Sequence, residues 1–229
     1  MNFIEFNSSL NVVDKRVIGV DEVGVGDYFG PLVSAAVLIP QENKEKLIKL
    51  GVIDSKKISD TKIKVLAPQI RKLCVYGVYV LSPKGFNNMS KMHNGNELKM
   101  FTHLSSIDKV LVKNNEYDFI FIDKYSTTNC IQKYYDKFMN SNFFVKFTTI
   151  KKDIILANKA EDISLEVACA SILARETFLY KMEEMNQKYG IQFPFGASQK
   201  VKEFAKELFE KRSDIVITDI CKTTFKMEI

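Results

Sequence analysis

Short apolar runs alternate along the chain with longer segments in which apolar residues recur at helical spacing. The apolar runs predict strands over Arg16–Asp21, Pro31–Ile39, Leu73–Leu81, Tyr117–Asp123 and Asn142–Ile150. The helical spacing predicts helices over Gln41–Leu50, Asp60–Leu73, Asn96–Lys113, Glu161–Gln187 and Val201–Lys211. Strands and helices that alternate in this way indicate an α/β fold with a mixed central sheet flanked by helices.

The composition is that of a globular protein and excludes several other classes. Of the 229 residues, 46% are hydrophobic and 27% are charged, which argues against disorder, collagen-like repeats and a coiled coil. A net charge of +5 is compatible with a polyanionic partner but does not require one. Because we find no repeat and no linker, we expect a single domain over residues 1–229, with 1–15 as a short N-terminal extension. Whether residues 1–14 add a strand is left open.

Cysteine and histidine usage gives no sign of a disulfide framework or a zinc site. The four cysteines are scattered, with no CxxC pair, which favours a reduced, cytoplasmic protein. His93 and His103 do not form a metalloprotease motif, and we expect them to be packed or surface residues. The chain starts without a cationic and apolar leader, and no apolar stretch approaches a membrane span, so we expect no membrane association.

The segment Gly19–Pro31, with the sequence GVDEVGVGDYFGP, carries the strongest chemical signal. Asp21 and Glu22 end an apolar strand, and a Gly-Val-Gly turn follows at once. Because adjacent strand residues point to opposite faces, both carboxylates can serve one site only if the strand ends or kinks there, which Gly24 and Gly26 permit. A dinucleotide-binding loop is disfavoured, since the third glycine comes one position late and a strand follows instead of a helix. A plain polar turn is the remaining alternative.

A second acid lies in an equivalent place, because Asp123 ends the apolar strand FIFI. Carboxylates at the ends of neighbouring strands meet at one edge of a sheet, where they suit a divalent metal such as Mg²⁺. Glu161 and Asp162 open a predicted helix, where acids also complement the helix dipole, so their role stays open on spacing alone. The tetrapeptide Asp54–Lys57 suits a phosphate but is equally typical of a solvated loop.

Several motifs, in their order along the chain, resemble the type 2 ribonuclease H family and specifically its ribonuclease HIII branch. They are GVDEVGVGDYFGPLVSAAV, GVIDSKKIS, FIDKYS, NKAEDISLEVACASILARE and FPFGASQKV. The resemblance runs from about Val17 to the C-terminus, and the DYFGP ending is more like HIII than the sister ribonuclease HII. It implies a ribonuclease H-like fold with additional C-terminal helices.

The resemblance also implies roles for individual residues. The residues that match the family's four active-site carboxylates, which hold the metal ions and carry catalysis, are Asp21, Glu22, Asp123 and Glu161. Asp162 is then a neighbour of this set. The residues that match the turn whose backbone contacts the ribose 2′-hydroxyl are Gly24, Val25 and Gly26. Those that match the phosphate-contacting loop are Ser55, Lys56 and Lys57.

The activity implied is metal-dependent endonucleolytic hydrolysis of the RNA strand of an RNA/DNA hybrid, leaving 5′-phosphate and 3′-hydroxyl ends. Two divalent ions, Mg²⁺ or Mn²⁺, would serve the site, and we expect a monomer. The HIII branch usually carries an N-terminal substrate-binding domain, for which the residues before the first strand leave no room. Val25 replaces the arginine of the HII turn. The alternatives are HII-like cleavage at single ribonucleotides in DNA, and a hybrid-binding protein with weak catalysis.

Overall fold

Six strands form a mixed sheet at the centre of the computed structural model, which describes residues 1–8, 10, 12, 14–139 and 143–225. The strands are β1 (Phe3–Glu5), β2 (Val17–Val23), β3 (Leu32–Leu38), β4 (Val75–Leu81), β5 (Phe119–Asp123) and β6 (Ile154–Ala157). Their order across the sheet is β1-β6-β5-β2-β3-β4. The pairs β2–β3 and β3–β4 are antiparallel, whereas β2, β5, β6 and β1 run parallel.

Helices cover both faces of this sheet. They are α1 (Lys44–Lys49), α2 (Asp60–Leu73), α3 (Pro83–Met89), α4 (Gly95–Leu111), α5 (Thr128–Met139), α6 (Leu165–Tyr189), α7 (Gln199–Lys211) and α8 (Ile217–Ile220). The helix α4 packs on one face, against β2, β3 and β4, and α6 packs on the other face, against β2 and β3. The expected α/β architecture with additional C-terminal helices is confirmed.

The sheet and α6 approach each other closely because the residues between them are small. Ala168, Ala170 and Ala174 are buried on α6, and β3 is buried along its whole length. At Gly19 in β2, a Cβ atom would come within 2.3 Å of the backbone of Glu166, so only glycine fits this contact. None of the helices in the described part of the chain has the length and apolar character to cross a membrane.

The predicted strand Asn142–Ile150 is wrong over residues 143–150, which are irregular; Asn142 lies outside the described residues. The alternating Phe143, Val145 and Phe147 instead pack against the apolar cluster on the α4 side of the sheet. The strand that completes the sheet is the four-residue β6, too short for a clear sequence signal. The helix α5 was likewise not predicted. Residues 1–14, left open by the sequence, contribute β1 at the edge of the sheet.

The segment after α8 is hydrogen-bonded to the loop that follows β2. The side chain of Lys222 is fully buried, and its Nζ donates to the carbonyl oxygens of Asp27 and Gly30, both at 2.7 Å. A backbone bridge joins Phe29 to Cys221. Burial lowers the pKa of Lys222 to about 8. The C-terminal segment around Lys222 therefore fixes the loop of residues 27–30 in place.

Candidate active site

Three carboxylates lie on the α6 face of the sheet, near the ends of β2 and β5. Asp21 in β2 faces Ser171 of α6 and is buried. Asp123 is the last residue of β5, and its Oδ1 accepts a hydrogen bond of 3.1 Å from the backbone N–H of Ala160. That contact ties the end of β5 to the short 3₁₀ turn Ala160–Asp162, which carries Glu161. The parallel pairing of β2 with β5 therefore brings the two strand-end aspartates to the same edge, as the sequence predicted.

Glu161 lies outside α6, contrary to the prediction that the long helix begins at this residue. The helix starts at Leu165 with Ser164 as its N-cap, so Glu161 does not belong to its first turn. Its carboxylate is nearly buried, and Oε1 lies 3.5 Å from the Nζ of Lys56. Oε2 is buried with no hydrogen-bond partner in the described part of the chain. An orphaned carboxylate oxygen is costly, which marks this atom as one that lacks its natural partner.

Glu22 points to the opposite face of the sheet. The prediction that the strand ends or kinks at the acid pair is wrong, because β2 runs regularly through both acids to Val23. The pleat therefore places Glu22 on the α4 side. There its Oε1 lies 2.9 Å from the Nζ of Lys99, and its Oε2 lies 2.8 Å from Nε2 of His103. The acid pair is split between two environments.

The two environments shift the pKa values of the acids in opposite directions. Burial, together with the negative charge of Glu22, raises the pKa of Asp21 well above its usual range. Burial also acts to raise the pKa of Glu22, but the hydrogen bond from His103 and the attraction of His103 and Lys99 outweigh it and lower the pKa to about 2. Burial acts to lower the pKa of Lys56, yet the surrounding carboxylates, Asp21 first among them, raise it. The α6 face thus carries poorly compensated negative charge.

The glycine turn follows the acid pair directly. Gly24 has a φ of +96°, and a Cβ atom there would lie 2.2 Å from the carbonyl oxygen of Pro31. Only glycine satisfies both conditions. Val25 is half-buried against the apolar cluster on the α4 side, whereas Gly26 is exposed. The predicted turn therefore exists, with its backbone open to solvent at Gly26.

The predicted phosphate loop lies beside the carboxylates. Ser55, Lys56 and Lys57 form a 3₁₀ turn, in which the side chain of Asp54 accepts from the backbone N–H of Lys56 at 3.0 Å. Ser55 Oγ lies 2.6 Å from Ser171 Oγ on α6. Lys57 pairs with Asp162, the neighbour of Glu161. A cavity of about 350 Å³ opens here, and its lining includes Glu22, Ser55, Lys56, Ser171 and Arg175.

The donor chemistry of this edge fits a hard divalent cation, although the carboxylates are not gathered around one point. Oxygen ligands are what Mg²⁺ and Mn²⁺ take, and the unpartnered Oε2 of Glu161 is an oxygen that a cation would satisfy. In the described ranges, no three His, Cys, Asp or Glu side chains lie close enough to hold a metal ion. The turn of Glu22 towards α4 agrees with this finding. A metal centre here would require side-chain movement.

Sequence reasoning missed Lys99 and His103. His103 was expected to be a packed or surface residue, and it is indeed fully buried, but it also contacts an acid of the predicted site. Lys99 was not considered. A detectable signal was present, since the two residues are four positions apart on a predicted helix and so share one face.

Comparison with known proteins places the chain in a family. A profile of the family described as Ribonuclease HII matches residues 18–228. The chain belongs to the ribonuclease HII family. Among its curated relatives, the ribonuclease HIII of Leuconostoc mesenteroides is 36% identical over 201 residues, covering 87% of this chain and 64% of the relative. The ribonuclease HIII of Chlamydia muridarum is 37% identical over 215 residues, covering 91% of this chain and 67% of the relative.

Solved structures of family members share the fold. The crystal structure of Bst-RNase HIII in complex with Mn²⁺ matches with a TM-score of 0.83 and 30% identity, over 92% of this chain and 67% of that one. Aquifex aeolicus RNase H3 matches with a TM-score of 0.72 and 31% identity, over 93% and 73%. These matches confirm the ribonuclease H-like fold. The chain spans about two thirds of the length of the curated relatives named above.

Proposed function

We propose that this member of the ribonuclease HII family is an endonuclease of the HIII type, which hydrolyses the RNA strand of RNA/DNA hybrids and leaves 5′-phosphate and 3′-hydroxyl ends. The observation that carries the proposal is the set of three carboxylates, Asp21, Asp123 and Glu161, on one face at the end of parallel strands. Both curated relatives named above are called ribonuclease HIII, which supports the same substrate class.

The residues proposed to hold Mg²⁺ or Mn²⁺ are Asp21, Glu22, Asp123 and Glu161. A pair of bound divalent ions supplies an activated water and stabilisation of the leaving oxygen. The protein's own contribution is to hold these carboxylates at one edge of the sheet, with Asp21 and Glu161 buried, where charge interactions are stronger than in water. The Mn²⁺ in the Bst-RNase HIII structure supports this metal class. Asp162, paired with Lys57 at the surface, has no proposed metal role.

The glycine turn and the adjacent 3₁₀ turn are proposed to bind the hybrid. The backbone at Gly24, Val25 and Gly26 is proposed to contact the ribose 2′-hydroxyl, the group by which a protein distinguishes RNA from DNA. Ser55, Lys56 and Lys57 are proposed to contact phosphates. Lys56 supports this assignment, since its exposed ammonium lies 3.5 Å from Glu161 and can turn from that carboxylate to an incoming phosphate.

Val25 is proposed to limit the range of substrates. Its side chain is half-buried and apolar, so it offers no donor to a phosphate or a 2′-hydroxyl. We therefore expect poor cleavage at a single ribonucleotide embedded in duplex DNA. Equal cleavage of that substrate and of a full hybrid would contradict the assignment and favour HII-type specificity.

We further propose that the protein acts as a monomer in the cytoplasm. The four cysteines are free, and two of them, Cys169 and Cys221, are buried as thiols, which suits a reducing compartment. Light scattering coupled to size-exclusion chromatography measures the mass directly. A dimer mass at micromolar concentration would contradict the monomer proposal.

The experiment that tests the proposed function is a cleavage assay on end-labelled RNA paired with DNA, with Mg²⁺, with Mn²⁺ and with EDTA. The parent protein and Asp123→Asn are compared, and a duplex with one ribonucleotide runs beside the hybrid. We expect metal-dependent internal cleavage of the hybrid by the parent and its loss in Asp123→Asn. Binding of the hybrid without cleavage under any metal would instead favour a hybrid-binding protein, an alternative suggested by the unassembled carboxylates.

A further inference from the structure

The buried face of α4 carries a polar stripe in an otherwise apolar environment. Lys99, His103 and Ser106 follow one another at intervals of four and three residues, so they share one side of the helix. His103 and Ser106 are fully buried, and the Lys99 side chain is only 15% exposed. Burying such groups is costly unless they are paired. The stripe lies against β2 and β3, where its charged partner is Glu22.

The two contacts of Glu22 use both of its oxygens but differ in rigidity. His103 has no exposed surface, and its ring lies 5.5 Å from the ring of Tyr125, at an interplanar angle of 79°. Lys99 reaches Glu22 from the end of a flexible stem, and its Nζ lies 4.8 Å above the ring of Tyr125. The imidazole is fixed by its packing, whereas the ammonium can withdraw by rotating its own side chain.

The position of Glu22 conflicts with its proposed use. As long as Lys99 occupies Oε1 and His103 occupies Oε2, the carboxylate faces α4 and not the face that holds Asp21 and Asp123. A cation at the end of β2 can recruit one oxygen of Glu22 only if one of the two contacts opens. Of the two, the contact to the flexible and slightly exposed Lys99 is the one that can open.

We propose that Lys99 and His103 are positioning residues that hold Glu22 in a stored position, with Lys99 as the releasable contact and His103 as the permanent anchor. When the Lys99 contact opens, the carboxylate stays hydrogen-bonded to His103 through Oε2 and can turn Oε1 towards the cavity beside the site, which Glu22 helps to line. Hydrogen bonds of this kind to a ligating carboxylate tune metal affinity. The inference rests on the proposed function, since it takes Glu22 to be a metal ligand.

The two substitutions have opposite expected effects. Lys99→Met removes a competitor for Oε1, so we expect Mn²⁺ to bind the full-length protein about 3–10-fold more tightly, as loss of one partly buried charge pair implies. His103→Ala removes the anchor, so we expect Mn²⁺ binding to weaken by about 10-fold or more. A purely structural role would weaken binding in both variants, together with a loss of thermal stability. His103→Asn, which can still donate a hydrogen bond, should recover part of the affinity.

A double-mutant cycle separates the proposed route from a general charge effect, because removing any nearby lysine favours a cation. If Lys99 acts through Glu22, the gain from Lys99→Met disappears in a Glu22→Gln background. Lys124→Met is the matched control. Lys124 follows Asp123 directly and is mostly buried, but its ammonium pairs with Glu5 at 2.8 Å and, among the described residues, forms no ion pair with a proposed ligand. We expect this variant to bind Mn²⁺ within about twofold of the parent, in line with the small effect of a partly exposed pair.

The measurement is an Mn²⁺ titration followed by electron paramagnetic resonance, without nucleic acid, on the parent and these variants. Tighter binding in Lys99→Met that vanishes with Glu22→Gln supports the inference. Unchanged or weaker binding in Lys99→Met, or an equal gain with Glu22→Gln, overturns it while leaving the proposed function intact. If the parent binds no Mn²⁺, the proposed function and the inference both fail.

Discussion

The two faces of the sheet treat the neighbouring acids Asp21 and Glu22 in opposite ways. On the α6 face, Asp21 is buried, and Lys56 is the cation that interacts with Asp21, Glu161 and Asp123. On the α4 face, two buried cationic or polar groups satisfy Glu22 completely. One residue step along a strand is enough to change the environment, because the pleat reverses the side-chain direction. An acid pair in a sequence therefore does not imply an acid pair in space.

Buried carboxylates on the two faces of the sheet have different consequences for stability. Glu22 with its partners resembles an internal ion pair that the folded state tolerates well. The carboxylates on the α6 face lack such compensation, which costs stability and leaves them ready for a cation. The following predictions test this contrast, from the largest effect to the smallest.

The largest expected effect comes from neutralising the orphaned acid of the α6 face. Glu161→Gln should reduce metal-dependent cleavage of an RNA/DNA hybrid by about 100-fold or more, as removal of a metal ligand does. Asp162→Asn is the matched control, since Asp162 pairs with Lys57 at the surface, and it should stay within about threefold of the parent. Equal losses in both variants would contradict the assignment of Glu161.

Removing each member of the acid pair should change stability with opposite signs. In EDTA at pH 7, Asp21→Asn should stabilise the protein by about 1–3 kcal/mol, because a poorly compensated buried carboxylate disappears. Glu22→Gln should destabilise it by about 1–3 kcal/mol, because Lys99 loses its partner in a largely buried place. Urea unfolding measures both values. If the free energy of unfolding changed in the same direction in both variants, the proposed contrast between the two faces would be wrong.

The stability differences of Asp21→Asn and Glu22→Gln should also depend on pH in different ways. The folded pKa of Asp21 lies above the usual 3.8, so its stability penalty grows as the pH rises above about 4, and the advantage of Asp21→Asn should shrink towards pH 4. The pKa of Glu22 falls from 4.5 to about 2 on folding, so its contribution is fully present above pH 4.5 and is lost as the pH falls towards 2. Between pH 7 and 5 the Glu22 carboxylate stays ionised, so its own titration should not change the deficit of Glu22→Gln. Unfolding curves in EDTA across this range measure both differences.

The smallest effect concerns two serine pairs, one joining α4 to β3 and the other joining α6 to the turn that carries Ser55. Ser106→Ala on the α4 face should cost about 1–2 kcal/mol, because Ser34 is fully buried and loses its partner at 3.0 Å. Ser171→Ala on the α6 face should cost less than about 1 kcal/mol, because Ser55 is only partly buried and water can replace the hydroxyl. Thermal unfolding of the two variants provides the test. A larger loss for Ser171→Ala would reverse the expected order.

The parts of the site that the sequence predicted are those set by local pattern. Asp21 and Asp123 follow uninterrupted apolar runs, so their positions on neighbouring strands were visible without any partner, although β2 continues two residues beyond Asp21. The direction of Glu22 follows from the pleat once β2 is known to continue to Val23, but its partner His103, which is 81 residues away in sequence, could not be predicted. Glu161 was misplaced on a helix, because the turn at Ala160–Asp162 is held by a non-local hydrogen bond to Asp123.

The difference between local pattern and long-range contacts also explains which helices and strands could be predicted. The strongly periodic helices were predicted well: the bounds of α2 are those observed, and α7 begins two residues earlier than predicted. The short strand β6 exists because the sheet pairs with it on both sides, through β5 and β1. Its four residues carry too little periodicity to be seen alone. The Phe-rich segment before β6 was mistaken for a strand because its apolar residues alternate. In the structure this segment is irregular, and those residues pack against the apolar cluster on the α4 side.

Because Lys222 lies near the end of the chain, its contacts with the loop after β2 can form only late in biosynthesis. Its partners Asp27 and Gly30 precede it by 195 and 192 residues, so the ribosome adds the lysine long after the acid pair has emerged. At about 5–20 residues per second, that interval is about 10–40 s. During this time the loop behind the glycine turn lacks both hydrogen bonds from the Lys222 ammonium. A nascent chain therefore carries the acids of the site well before it can present a finished surface to nucleic acid.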